Sequence, residues 1–208
     1  MHSSQINCEI SVLITCHNED KYIETCIRSV LDQTIFNLIE EIIVINDSST
    51  DNSFKILKNL SNECHRLKII QADFGSLSKA RNLGIKLSKG KYIAILDGDD
   101  FWSKTKLENQ LEKIKDIAED YGLLYTNYID FDDNKLDEGK KISVRSFNKI
   151  SNNQLIKYFC KDGPIVPSTI FIKSDVVKNI GKFDKNLKYY EDTDFYLRLL
   201  EKYKIFHL

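Results

Sequence analysis

The chain has 208 residues, of which 42% are hydrophobic, 29% charged and 11% aromatic. These fractions are typical of soluble globular domains and exclude the disordered, collagenous and membrane-spanning classes. Lys and Arg number 30 against 31 Asp and Glu, which gives a formal net charge of -1. A chain without excess positive charge has no global field to hold a nucleic-acid backbone, so we expect no nucleic-acid partner.

Cysteine usage and the N-terminal residues indicate the compartment. The five cysteines are odd in number and scattered, and no Cys-x-x-Cys pair occurs, so neither a disulfide framework nor a zinc knuckle is indicated. The first residues lack the basic and apolar regions of a signal peptide, and no stretch approaches the roughly eighteen apolar residues of a spanning helix. We expect a cytoplasmic protein without a transmembrane segment, which leaves room for peripheral membrane association.

Strand and helix patterns alternate through the first half of the chain. Short apolar runs predict strands at residues 10–15, 41–46, 67–71 and 91–97. Apolar residues at helical spacing predict helices at residues 22–33, 78–87 and 103–121, and a further helix after the capping residues 49–51. Strands that are apolar on both faces and alternate with helices indicate a mostly parallel, doubly wound sheet.

The pattern changes after about residue 122. The segment LLYTN covers residues 123–127, a polar and hairpin-like stretch covers 130–141, the segment STIFI covers 168–172, and a closing helix begins near Asp192. We expect a mixed second half in which antiparallel pairing occurs.

Acidic and polar residues follow three of the predicted strands. In open α/β sheets ligands bind beyond the carboxyl ends of the strands, so these loops are the first places to look for a site. The residues are Thr15, Cys16, His17, Asn18 and Glu19 after the first strand, residues 46–51 after the second, and Asp97, Gly98, Asp99 and Asp100 after the fourth.

Three carboxylates within four positions repel one another unless a cation or hydrogen bonds neutralise them. In an extended segment Asp97 and Asp99 point the same way, and Gly98 allows close approach of the backbone. Mg²⁺ or Mn²⁺ is held by one or two carboxylates and completes its shell with waters and substrate phosphates. The alternative interpretation is a solvated turn of strand-end acids.

Other phosphate-binding and metal-binding motifs do not match this sequence at their defining positions. No Gly-x-Gly-x-x-Gly follows the first strand, and GIKLSKGK at residues 84–91 has five residues between its glycines and precedes a strand, which excludes a P-loop. Asp130, Asp132 and Asn134 resemble the start of a calcium loop, but lysines occupy the later glycine and acid positions. We predict a hairpin turn there.

Five segments together resemble the ordered motifs of the family 2 inverting glycosyltransferases, which have the GT-A fold. They are SVLITCHNE at residues 11–19, IVINDSSTD at 43–51, SKARNLG at 78–84, LDGDDFW at 96–102 and YEDTDFYLR at 190–198. The resemblance covers essentially the whole chain. It implies an α/β fold of the GT-A type, with a mostly parallel, doubly wound sheet in the first half and a mixed α+β acceptor half.

The resemblance also implies a role for each matching residue. Asp47 matches the acid that reads the uracil edge, and His17 stands where the family commonly has an aromatic residue on the base. Asp99 matches the carboxylate on a Mn²⁺ or Mg²⁺ cofactor, and Asp192 matches the catalytic base. The full set of implied nucleotide-binding residues is Thr15, His17, Asn18, Glu19, Asp47, Arg81, Asp97 and Gly98.

The residues themselves leave structural alternatives open. His17 could be a packed loop histidine, and Arg81 could pair with a carboxylate on its own face. Asp192 could be one of the acids that the helix dipole favours at a helix N-terminus. Trp102 is expected to pack under the metal loop.

The resemblance implies a metal-dependent inverting glycosyltransferase. It would move a sugar from a nucleotide-diphosphate donor, expected to be a UDP-sugar, to a hydroxyl of a carbohydrate or lipid-linked acceptor in polysaccharide or glycoconjugate synthesis. Residues 1–208 would form one domain, with a nucleotide-binding half at 1–102 and an acceptor and catalytic-base half at 103–208, including an acceptor-facing loop at 163–168.

Because the family continues beyond the helix of the base, we expect the domain to be truncated at its C-terminus. The alternative function is a nucleotide-sugar-binding module without turnover. A sugar nucleotidyltransferase would need a Gly-rich loop with Arg and Lys after the first strand, and residues 15–19 have none.

Overall fold

The computed structural model describes residues 9–131, 140–142, 146, 148, 150–162 and 165–208. Its strands are β1 (Ile10–Cys16), β2 (Ile39–Asp47), β3 (Leu67–Ala72), β4 (Tyr92–Asp97), β5 (Tyr121–Tyr125), β6 (Tyr128–Asp130), β7 (Lys140–Ile142), β8 (Phe171–Lys173) and β9 (Lys204–His207). Its helices are α1 (Ile23–Leu31), α2 (Ser53–Glu63), α3 (Leu77–Leu87), α4 (Lys106–Asp116), α5 (Asn152–Asp162), α6 (Ser174–Ile180) and α7 (Glu191–Leu200).

Seven strands form one sheet in the order β3-β2-β1-β4-β8-β5-β9. Strands β1 to β4 run parallel, whereas β8 runs antiparallel to both β4 and β5. This confirms the predicted parallel first half and mixed second half. The carboxyl ends of β1, β2 and β4 meet at one edge because these strands are neighbours with the same direction.

Apolar clusters cover both faces of the sheet. Alternate residues of β1 point to opposite sides, so Ile10, Val12 and Ile14 pack with α1, α2 and α4, while Leu13 packs with α3 and the later helices. Nearly all of β1, β2 and β4 is buried, which explains why these strands are continuous apolar runs.

The helix predicted at residues 103–121 is wrong at both ends. Residues 103–105 are held in a loop because Gln33 contacts both the Ser103 carbonyl and the Leu107 N–H. At the other end Ile117 has an extended ψ of 160°, and Tyr121 pairs with Lys204 in the sheet. The apolar spacing extends beyond the end of α4 because the following strand, β5, is also buried.

The second half contains elements that the sequence analysis did not predict, namely α5, α6 and β9. The flanks of the predicted hairpin are present, since β6 pairs with β7 in an antiparallel ladder. Its turn, and the first residues of the predicted acceptor-facing loop, lie outside the described residues. None of the helices in the described ranges is long and apolar enough to cross a bilayer.

Candidate active site

A cleft of about 450 Å³ opens at the carboxyl ends of β1, β2 and β4. Its volume is within the range of small-molecule sites. The described residues that line it include seven of the predicted ones, which are Thr15, His17, Glu19, Asp47, Asp97, Gly98 and Asp99. Gly75, Ser76, Leu77 and Ala80 also line the cleft and were not predicted from the sequence. The same strand-end rule, applied to β3, would have found the first three.

The lining of the cleft is strongly acidic. It holds the carboxylates of Glu19, Asp47, Asp97 and Asp99, and none of its described members is a lysine or arginine. Burial, and then repulsion from Asp99 and Asp51, raises the pKa of Glu19. A diphosphate placed here would face these carboxylates with no lysine or arginine in the described lining to offset its charge.

Asp97 is already paired inside the protein. Both of its oxygens accept hydrogen bonds from Nη2 of Arg81, at 2.9 and 3.1 Å, and Thr15 donates to Oδ1 at 3.1 Å. Arg81 is only 2% exposed and its Nη1 also contacts Glu191 at 3.2 Å. Burial alone would lower the pKa of Arg81, but the two carboxylates raise it. Pairing of Arg81 with a carboxylate was the alternative that the sequence left open, and the structure shows two such pairs. Arg81 does not line the cleft.

Residues 97–100 form a turn rather than the extended segment expected from the sequence. The Asp100 N–H donates to the Asp97 carbonyl at 3.0 Å, and the Gly98 N–H donates to the Thr15 carbonyl at 2.9 Å. A Cβ on Gly98 would lie 2.8 Å from that carbonyl oxygen, so the close approach is to β1 itself. The turn leaves the Asp99 side chain exposed, and it has no hydrogen-bond or ion-pair partner among the described residues.

Trp102 follows this turn in the chain and is buried. It is 7% exposed, and its Nε1 donates to the Ser168 carbonyl at 2.8 Å. The ammonium of Lys106 lies 4.0 Å from the centre of the Trp102 ring. Burial lowers the pKa of Lys106 to about 7, although the ring face favours the charged form.

Asp47 and His17 also line the cleft and contact each other. The Asp47 carboxylate accepts the backbone N–H groups of Phe74 and Gly75 on Oδ1 and of Ser76 on Oδ2. Nδ1 of His17 donates to the Asp47 carbonyl at 2.6 Å, so the exposed imidazole is held against β2 rather than packed in the core.

Asn18 and Asp192 do not line the cleft. The Asn18 side chain accepts the Thr50 N–H at 2.8 Å and joins the loops after β1 and β2, with a left-handed φ of 58°. Asp192 lies in the first turn of α7, next to Glu191, and its Oδ1 accepts the Thr193 N–H at 2.6 Å. The contact between Glu191 and Arg81 ties this turn of α7 to Asp97.

A closed metal centre is absent from the described part of the chain, since no three His, Cys, Asp or Glu side chains there are arranged to hold an ion. The donor set fits a different type of site. Mg²⁺ and Mn²⁺ often use one or two carboxylates and take the remaining ligands from substrate phosphates and water. Unpartnered Asp99 beside Glu19 in an acidic cleft meets that description.

Comparisons with known proteins point to one family. The model described as "Glycosyl transferase family 2" matches residues 11–181. The chain is 32% identical over 198 residues to the Escherichia coli protein "UDP-Glc:alpha-D-GlcNAc-diphosphoundecaprenol beta-1,3-glucosyltransferase WfaP", covering 93% of this chain and 70% of WfaP. It spans only 18% to 40% of the length of four other curated relatives.

Solved structures share the fold. S. aureus TarS 1-349 in complex with UDP-GlcNAc superposes with a TM-score of 0.77 at 23% identity, over 96% of this chain and 56% of that one. The mannosyltransferase PcManGT from Pyrobaculum calidifontis, in complex with GDP-Man and Mn²⁺, gives 0.73 at 13% identity, over 97% and 55%. These likenesses confirm the predicted GT-A type of fold.

Proposed function

The chain belongs to glycosyltransferase family 2, and from this premise we propose that it moves a sugar from a nucleotide-diphosphate donor to an acceptor hydroxyl. The observation that carries the proposal is the acidic cleft that gathers the strand-end residues Thr15, His17, Glu19, Asp47, Asp97 and Asp99. A UDP-sugar is the proposed donor, in line with the names of WfaP and of the TarS complex.

A divalent cation, Mn²⁺ or Mg²⁺, is part of the proposal because the described lining offers a diphosphate no positive charge. Asp99 would hold the cation with its exposed carboxylate. When bound, the cation supplies neutralisation of the negative charge that grows on the leaving nucleoside diphosphate. The Mn²⁺ in the structurally similar mannosyltransferase supports this part of the proposal.

The donor nucleotide would lie over the His17 ring and against the Asp47 carboxylate. Oδ2 of Asp47 accepts one backbone N–H, which leaves it able to accept a second hydrogen bond from a uracil N–H. His17 offers its ring face to the base. We propose Thr15, Glu19 and Gly98 as the floor under the ribose and diphosphate, with Asp97 held toward the ribose by Arg81.

We propose Asp192 as the general base that takes the proton from the acceptor hydroxyl. The deprotonated oxygen would attack the anomeric carbon from the face opposite the leaving group, so one displacement inverts the configuration. Arg81 contributes by position, because it fixes Glu191 and Asp97 at once. Residues 1–102 would then be the nucleotide half and 103–208 the acceptor half of one domain.

The acceptor is proposed to be a carbohydrate or a lipid-linked sugar of polysaccharide or glycoconjugate synthesis. The name of WfaP, which contains a diphosphoundecaprenol-linked sugar, supports the lipid-linked class. A protein that reaches such an acceptor would meet the membrane surface peripherally.

The test compares Asp192→Asn with Asp194→Asn in a transfer assay that measures UDP release in the presence of acceptor. Asp194 is the matched control, because it lies in the same helical turn but pairs with Arg198 at 2.7 Å. We expect Asp192→Asn to lose transfer by about 10²-fold to 10⁴-fold while it keeps donor binding. Unchanged transfer would reject Asp192 as the base. Donor binding without any transfer by the wild type would favour the binding-module alternative.

A further inference from the structure

One side chain joins the turn after β4 to the segment before β8. The Ser168 hydroxyl accepts the Asp97 N–H at 3.0 Å and donates to Oδ2 of Asp100 at 2.5 Å. The carbonyl of the same serine accepts the Trp102 Nε1–H. Ser168 is 7% exposed, so these bonds are shielded from water.

The three carboxylates of this turn have different surroundings. Arg81 neutralises Asp97, and Asp100 is turned into the protein toward Ser168. Only Asp99 is left facing the cleft without a described partner. The Ser168 hydrogen bond therefore holds the Asp100 side chain in a different direction from the Asp99 side chain.

Loss of the hydroxyl would leave a partly buried carboxylate without its donor. A buried acceptor without a donor is unfavourable, so Asp100 would rotate toward solvent and bring its charge closer to Asp99. The Asp97 N–H would lose its acceptor at the same time. The first change alters the charge near Asp99, and the second removes a bond from the backbone that leads to Asp99.

We propose that Ser168 is a positioning residue for cation binding, which holds Asp100 away from the cleft and keeps Asp99 aimed into it. This inference rests on the proposed function, because it assumes that a divalent cation accompanies the nucleotide. Ser168 acts through Asp100 and the Asp97 backbone and does not itself meet the cation. It would couple the predicted acceptor half to the metal side of the donor site.

The experiment is a calorimetric titration of UDP at increasing fixed Mn²⁺ concentrations. Partners that orient a metal ligand typically change metal affinity by about 10–100-fold, so Ser168→Ala should raise the Mn²⁺ concentration for half-maximal UDP binding by about tenfold. At saturating Mn²⁺ its UDP affinity should stay within about twofold of wild type. Ser168→Thr keeps the hydroxyl, so its Mn²⁺ concentration for half-maximal UDP binding should be close to that of wild type.

Ser174→Ala is the matched control. Its hydroxyl donates to the Gly90 carbonyl at 2.6 Å at the far end of β8, so the variant loses a comparable bond away from the turn. Ser168→Cys, of similar shape and with a weak S–H donor, covers the case in which the alanine variant does not fold. It should also raise the Mn²⁺ requirement.

Two results separate this inference from the proposed function. If wild-type protein binds UDP equally with and without Mn²⁺, the cation part of the proposed function fails and takes the inference with it. If wild type needs Mn²⁺ but the alanine and cysteine variants need no more, only the role of Ser168 is rejected. Equal losses in Ser168→Ala and Ser174→Ala would also reject it, since a general loss of stability would then explain the effect.

Discussion

Arg81 has partners that the sequence alone does not reveal. The resemblance predicts a role near the nucleotide, which stays a prediction, and the structure buries Arg81 between Asp97 and Glu191, with its guanidinium 5.5 Å from the centre of the Phe183 ring. No spacing rule reveals this, because Glu191 lies 110 positions away in the sequence. Only the folded chain brings Arg81 of α3 and Glu191 of α7 together.

Removing Arg81 should therefore cost stability. Arg81→Met leaves two carboxylates facing a buried site without a counter-charge, and breaking a buried pair in this way costs about 3–5 kcal/mol. Arg28→Met is the control, since Arg28 pairs with Glu24 and Glu63 on the surface and such pairs contribute about 0–1 kcal/mol. Urea denaturation measures both free energies of unfolding, and similar small losses would contradict the buried role.

Lys106 predicts a pH dependence of stability. Its pKa in the folded protein is about 7, below the unfolded value of 10.5, so the unfolded state binds the extra proton between these values. Stability should therefore rise as the pH increases from about 7 to about 10.5. Lys106→Met removes this contribution, so its stability advantage over wild type should be largest below pH 7 and shrink above it. Thermal melts of wild type and Lys106→Met from pH 6 to pH 10 measure this difference. An advantage that does not change with pH would mean that Lys106 stays charged over this range, which would contradict the prediction.

At the scale of elements, α3 packs against β1 through Gly84. A Cβ at this position would lie 1.9 Å from Cδ1 of Leu13, which is fully buried. Gly84→Ala should force the helix away from the sheet and cost about 1–3 kcal/mol, as overpacked cores do. Lys79→Ala, on the exposed side of the same helix, should change the free energy of unfolding by less than about 0.5 kcal/mol. An equal effect in urea denaturation would contradict the close contact.

The first half of the fold could be predicted from the sequence because each buried strand is a short apolar run between amphipathic helices. The start of α4 could not be predicted, because Gln33 and Thr34 hold residues 103–104 by hydrogen bonds from a distant loop. Strand β9 was missed because four residues at the end of the chain carry no period of their own. It forms only because β5 offers a parallel edge.

At the scale of the whole molecule, the site follows from topology. Parallel neighbours β1, β2 and β4 end at one edge, so the strand-end rule correctly gathered Thr15, His17, Asp47 and Asp97 in one cleft. The rule says nothing about which carboxylates are neutralised within the protein. That distinction, with Asp97 paired and Asp99 left exposed, required the side-chain contacts of α3 and of the segment before β8.

The central claim is that this acidic cleft binds a nucleoside diphosphate only together with a divalent cation. Calorimetric titration of UDP into wild-type protein and Asp99→Asn, each with Mn²⁺ and with EDTA, tests it most directly. The account predicts binding by wild type with Mn²⁺, none with EDTA, and a loss of at least about tenfold in affinity for Asp99→Asn. Equal UDP binding by wild type with Mn²⁺ and with EDTA would contradict it.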